Sequence, residues 1–261
     1  MKYLLELSYD GSPFAGFQRQ PGQLTVQGEL EDALSRVLRE PLAVTCAGRT
    51  DKGVHGRGQV VSFRTADARF SGGLVEEANR VLRPRVEIRK VARCPVGFHP
   101  RHSALSRTYT YTISTSVKPD SLDRLDVWYL GREPELSRMR EAADVFVGEH
   151  DFTSFSYRCG TEGNVRRVKE FEIQPSRSLG QRFLSIKIQA NGFLRKMARL
   201  LVAGVVECGL GECEVSRLVT RLQKRDPAEA PHPAPPYGLC LESIEYENDP
   251  FFRPLVQVSA N

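Results

Sequence analysis

The stretch Ala47–Phe63 reads AGRTDKGVHGRGQVVSF and holds the residues best suited to chemistry. Asp51 stands there among glycines at 48, 53, 56 and 58, and it is the only carboxylate from Pro41 to Ala66. Glycines at that density permit unusual backbone angles and let a bulky ligand approach the main chain. Arg49, Lys52, Arg57 and Arg64 surround Asp51 in sequence. Such cations favour the ionised carboxylate that a nucleophile or base requires. A second reading is an Asx-turn in which Asp51 only shapes the loop. His55, in the same loop, is open to acid–base chemistry or to a structural hydrogen bond.

Several chemistries are disfavoured by what surrounds Asp51. Hydrolysis of a glycosidic bond normally takes paired carboxylates, and metal-assisted chemistry needs clustered ligands; either would require a partner from a distant segment. No G-x-x-x-x-G-K-[ST] loop and no G-x-G-x-x-G after a strand occurs, so no nucleotide cofactor has a visible cradle. His99 and His102 lack nearby Cys or acidic partners and read better as hydrogen-bonded loop residues than as metal ligands. The six cysteines, at 46, 94, 159, 208, 213 and 240, contain no C-x-x-C pair. Neither a structural zinc nor a disulfide framework is expected, and reduced thiols in a cytoplasm are the default. No metal is expected.

The elements that must position Asp51 can be read from the hydrophobic pattern. Lys2 to Tyr9 alternates as a strand and ends at the turn residues Asp10, Gly11, Ser12 and Pro13. Thr25 is an N-cap for a helix to about Arg39, with Val26, Leu30, Ala33, Leu34, Val37 and Leu38 on one face. Strands near Leu42–Ala47 and Gly58–Arg64 flank the loop Gly48–Arg57. A helix near Gly73–Leu82 and a strand near Val86–Arg93 complete β-α-β-β-α-β. The second half repeats the order: strand Arg107–Ser114, helix Glu135–Val147, a hairpin of Val165–Ile173 and Gln181–Ala190 turning near Ser176–Gly180, helices Phe193–Glu207 and Glu214–Lys224, and strand Leu239–Tyr246. The fold class expected is α+β: two ferredoxin-like halves with antiparallel sheets, residues 1–103 and 104–261, with a catalytic cleft between them. Five prolines fall between Asp226 and Gly238, a stiff connector or a cover for that cleft.

Length and charge narrow the partner. The chain has 261 residues with 40% hydrophobic and 26% charged, an ordinary globular balance that argues against wholesale disorder. Its longest apolar runs, such as Leu200 to Val206, are far short of a membrane span, and the N-terminus lacks the apolar stretch of a signal peptide. No membrane association is expected. The net charge of +5 is unevenly spread: Arg80 to Arg107 holds eight Lys or Arg against one acid, Glu87, a local +7. Further clusters include Arg166, Arg167 and Lys169, and Arg195, Lys196 and Arg199. A polyanion suits such a distribution, because each cation set on a phosphate releases a condensed counterion. Lys52, Arg107, Arg195 and Lys196 are candidates for contact with such a polyanion, although any single cluster reads equally as a solvated face.

The loop around Asp51 resembles the signature of the tRNA pseudouridine synthase A family, whose nucleophilic aspartate lies in G-R-T-D-x-G-V-H. The resemblance continues through YDGSPFAGFQRQ, TVQGELEDAL, FHPRHSA, RTYTY, HDFTSF, NGFLRKMAR and PPYGLCL, in family order over nearly the whole chain. It implies an RNA isomerase acting without cofactor on the anticodon stem-loop of tRNA, at the uridines conventionally numbered 38 to 40, as a cytoplasmic homodimer. Asp51 matches the catalytic aspartate, Arg49 the arginine that helps hold the flipped-out nucleotide, Tyr109 the tyrosine that contacts the target base, and Leu239 an apolar position bordering the pocket. Read without the resemblance, Tyr109 is a strand aromatic packed in the core. The chain departs from the family pattern at Pro100 and His102, where alanine and phenylalanine are common, and Lys52 fills a variable position often held by alanine.

The implied chemistry agrees with the residues. Converting uridine to pseudouridine breaks N1–C1′, turns the base and joins C5 to C1′, with no oxidation and no net use of water. It needs a nucleophilic carboxylate, a pocket for the detached uracil and a way to take the C5 proton. Two rival readings stay open: a non-catalytic RNA-binding module of the same fold, and an N-glycosidase using Asp51 with a second carboxylate.

Overall fold

A computed structural model describes residues 1–66, 72–116, 126–157, 162–178, 181–252 and 255–257. Of the hairpin turn expected near Ser176–Gly180, residues 176–178 continue the strand, while 179–180, like Cys159, lie outside the described residues. The chain forms two compact units, Met1–Leu105 with Leu241–Asn261, and Ser106–Cys240. The segment from Leu241 onward therefore groups with the first unit, whereas the sequence reading placed it with the second.

In the first unit the order is β1 (Lys2–Tyr9), α1 (Val26–Leu38), β2 (Val44–Cys46), β3 (His55–Arg64), α2 (Gly72–Leu82) and β4 (Val86–Arg93). β1 lies between β3 and β4, antiparallel to both, and β2 pairs with the outer side of β3. This is the antiparallel βαββαβ arrangement expected. Alternation along β1 sets the layers, since successive side chains of a strand face opposite ways. Tyr3, Leu5, Leu7 and Tyr9 pack with Val26, Leu30, Ala33 and Leu34 of α1 and Val75, Ala78 and Leu82 of α2. Leu4 faces the other side, with Val60, Ala92 and Phe251. α1 starts where expected: the Thr25 hydroxyl accepts from Gly28 N–H.

The second unit runs β5 (Ala104–Ser114, from Ser106), β6 (Trp128–Tyr129), α3 (Leu136–Asp144), β7 (Gly148–Asp151), β8 (Val165–Ser178), β9 (Gln181–Ala190), α4 (Met197–Gly209) and α5 (Val215–Lys224). β9 is antiparallel to β5 on one side and β8 on the other, and β7 extends the sheet beyond β8. β10 (Leu239–Tyr246) gives its first two residues to this unit and the rest to the first. α4 is buried almost all round, from Met197 through Leu200–Val206 to Gly209. A helix apolar on every face belongs inside a core.

Several boundaries differ from the sequence reading, and two of them bear on candidate residues. β3 begins at His55 rather than Gly58, because Gly56 pairs with Tyr9 across a register shift in β1. The loop carrying Asp51 is shortened accordingly. α4 begins at Met197 rather than Phe193, because Lys196 takes a left-handed backbone (φ 62°) that no helix can continue through. Among the described residues, no helix is long and apolar enough to cross a membrane.

Candidate active site

Asp51 is half-buried at the head of a tight turn, with exposed Arg49 and Lys52 on either side. Val54 N–H donates to Asp51 O (3.1 Å), closing the turn, and Gly53 at its third position has φ 80°. That is the type II pattern, which calls for glycine at this place. The residue before Asp51 is held more firmly. Thr50 is 6% exposed; its hydroxyl lies 2.9 Å from the Tyr9 hydroxyl, and its carbonyl accepts from Phe17 N–H (3.1 Å). Gln59 Nε2 donates to Gly48 O (2.7 Å), fixing the other end of the loop.

His55 takes a structural part here. Gly11 N–H donates to its Nδ1 (3.2 Å), which ties the loop's exit to the turn after β1. An Nδ1 that accepts this bond has no proton for Asp10 Oδ1, 3.1 Å away, unless the ring tautomer changes. Burial pushes the Cys46 thiol above its ordinary value, and the charges of Arg49 and, more weakly, Arg101 pull it down. Arg101 therefore joins Arg49 as a cation close to the end of β2, a neighbour that sequence spacing does not reveal. Its own loop is anchored by Tyr246, whose hydroxyl donates to Pro100 O (2.9 Å) and whose ring lies 4.9 Å from that of Phe98. In the same loop His99 Nδ1 accepts from Arg101 N–H (3.1 Å) and His102 N–H (3.4 Å). Among the described residues, no group of three His, Cys, Asp or Glu gathers as a metal site.

The other candidates lie in the second unit. Tyr109, on β5, is 8% exposed, its ring edge-on to Phe193 with centroids 4.9 Å apart. Arg107, on the same strand, donates from Nη1 to Asn191 O (3.0 Å). Exposed Arg195 and half-buried Lys196 precede α4 and flank the Tyr157 ring, at 5.4 Å and 3.9 Å from its centroid. Cations over an aromatic face form a surface of the kind that takes phosphates and stacked bases. Tyr157 is absent from the sequence reading, because contact with residues 38 and 39 positions away leaves no periodic signal.

Leu239 is 5% exposed at the start of β10. The segment leading to it is gripped twice. Tyr111, fully buried, donates from its hydroxyl to Pro235 O (2.7 Å). Arg199 Nε donates to Ala234 O (2.6 Å), and Ala234 N–H donates back to Arg199 O (3.2 Å). Gly238 rests against Tyr111: a β-carbon there would stand 2.8 Å from two ring atoms and 2.9 Å from Thr112 O.

The first unit thus carries a carboxylate on a pinned, cation-flanked turn, and the second, by itself, aromatic and cationic side chains. The family described as tRNA pseudouridine synthase matches residues 7–102 and 142–247. The tRNA pseudouridine synthase A of Thermosipho africanus is 36% identical over 93% of this chain and 98% of its own. That of Geobacter sulfurreducens is likewise 36% identical over 93% and 98%, and that of Thermotoga neapolitana 38% over 91% and 96%. A solved H/ACA RNP aligns with a TM-score of only 0.37 at 11% identity, covering 78% of this chain and 44% of its own.

The chain belongs to the tRNA pseudouridine synthase A family. It is an isomerase of the pseudouridine synthase type.

Proposed function

We propose that this protein converts uridine to pseudouridine in the anticodon stem-loop of tRNA, at positions 38 to 40, with Asp51 as nucleophile. The observation that carries the reading is the turn at Asp51. A half-buried carboxylate is fixed on a backbone tied through Thr50 and Val54, with Arg49 and Lys52 beside it. Relatives alike over more than nine-tenths of both chains are named as tRNA pseudouridine synthases, which supports tRNA as the substrate.

Each assigned residue has a part that its chemistry suits. The Asp51 carboxylate adds to the base or to C1′ as the N1–C1′ bond breaks. The uracil turns, C5 bonds to C1′, the bond to Asp51 breaks and frees its carboxylate, the C5 proton departs and N1 gains one, so the product is an isomer. A base in a stem must leave its stack, at a cost of roughly a few kcal/mol that contacts in the enzyme offset. Arg49, with a planar, permanently charged head, fits the space and phosphates left behind. Tyr109 contacts the target base and Leu239 supplies an apolar border. Arg107, Lys52, Arg195 and Lys196 contact the RNA backbone. The enzyme works in the cytoplasm as a homodimer without a cofactor.

The test uses tRNA transcribed with tritium at C5 of uridine. The proposal expects solvent tritium to rise with pseudouridine at 38 to 40 and no free uracil. Release of free uracil would make the protein an N-glycosidase, and tight salt-dependent binding without release would make it an RNA-binding module.

A further inference from the structure

We infer that Tyr9 is a positioning residue for the isomerisation, acting through Thr50 on Asp51; this rests on the reading of Asp51 as nucleophile. Tyr9 ends β1, 41 positions before Thr50, and is 5% exposed. Its hydroxyl and that of Thr50 are 2.9 Å apart in a buried contact. The ring is held in place by its own neighbours. Gly56 pairs with Tyr9 beyond a register shift, and a β-carbon at Gly56 would lie 2.6–2.8 Å from Cζ, Cε1 and the hydroxyl oxygen. The Phe17 ring lies 6.2 Å away, and the backbone of the same Phe17 donates to Thr50 O.

Thr50 is thus fixed by side chain and carbonyl together, one residue before the candidate nucleophile. Asp51 O is fixed by Val54 on the other side. The main chain that carries Asp51 is thereby pinned at both ends. Nucleophiles reward such constraint: a displacement of about 1 Å at a reacting atom costs on the order of 100-fold in rate. A hydroxyl that serves packing alone would be replaced by Tyr9→Phe with no effect on the chemical step.

The experiment measures single-turnover tritium release at saturating tRNA, tRNA affinity and thermal unfolding. It compares wild type, Tyr9→Phe, Thr50→Val, Thr50→Ser and the double variant Tyr9→Phe/Thr50→Val. We expect Tyr9→Phe and Thr50→Val each to slow the chemical step about tenfold, with tRNA affinity within about twofold of wild type. The double variant should be no slower than either single one, and Thr50→Ser, which keeps the hydroxyl, should be close to wild type. Lower unfolding temperature with an unchanged rate would overturn the inference, as would losses that multiply in the double variant. If Tyr9→Phe does not fold, the Thr50 pair decides: Val slow and Ser fast supports it, and Val as fast as wild type refutes it. An Asp51→Asn control as active as wild type would instead overturn the nucleophile reading, and this inference with it.

Discussion

Two tyrosines, one in each unit, stand against a glycine and steady a segment that carries a candidate site residue. Tyr9 packs on Gly56 and meets the Thr50 hydroxyl; Tyr111 packs near Gly238 and donates to Pro235 O. The difference lies in what each one holds. Tyr9 grips a short turn that also ties itself through Val54 N–H. Tyr111 grips a segment rich in proline, a residue with no N–H to offer, so its hold comes largely from side chains outside it, beside the one bond from Ala234 N–H to Arg199 O. The Tyr111 hydroxyl and Arg199 Nε both donate to its carbonyls. A glycine-rich turn can fix itself with backbone bonds, whereas a proline-rich strap has to be fixed by its surroundings.

That contrast orders the expected effects. Gly238→Ala should be the most disruptive, because the new methyl meets the Thr112 carbonyl at 2.9 Å as well as the Tyr111 ring, and backbone gives little. A loss of about 3 kcal/mol in denaturant unfolding is expected, the upper part of the range for overpacking. At Gly56 the three nearest atoms all belong to the Tyr9 side chain, so the loss in Gly56→Ala should be nearer to about 2 kcal/mol. Equal losses would remove the distinction between a backbone wall and a side-chain wall.

Tyr111→Phe leaves Pro235 O without that donor and should cost about 1.5 kcal/mol, again by denaturant. It also has a signature in pH. Burial, with a smaller contribution from nearby Tyr237, holds the Tyr111 phenol far above its usual 10. A phenol raised on folding contributes stability that is complete below the unfolded pKa and declines as pH climbs past it. Wild type should therefore lose stability above pH 10 more steeply than Tyr111→Phe, by up to about 1.4 kcal/mol per pH unit. Parallel alkaline slopes would mean that Tyr111 ionises in the folded protein.

The fold was legible in sequence because its signals are local. Alternation along Lys2–Tyr9 and the Thr25 cap are each contained within a few residues, and the structure places both where the pattern puts them. The start of α4 was not legible: the run from Phe193 looks helical until Lys196 takes its left-handed backbone. The start of β3 was hidden for another reason, since His55 and Gly56 join the strand through pairing with the far end of β1. Asp51 stood out by its glycines and its isolation from other acids. The hydroxyl pair of Tyr9 and Thr50 did not, because two common residue types 41 positions apart have no spacing that marks them. Local physics announces elements and turns; the contacts that hold a reactive side chain still are settled by tertiary packing.

The most direct test of the account is the single-turnover rate of Asp51→Asn on C5-tritiated tRNA, with tRNA affinity measured on the same sample. Asparagine keeps the size of the side chain and the turn it heads but removes the nucleophilic charge. The account predicts tRNA affinity within about twofold of wild type and no tritium release above background. Release at the wild-type rate would contradict it, and Asp51 would then only shape its loop.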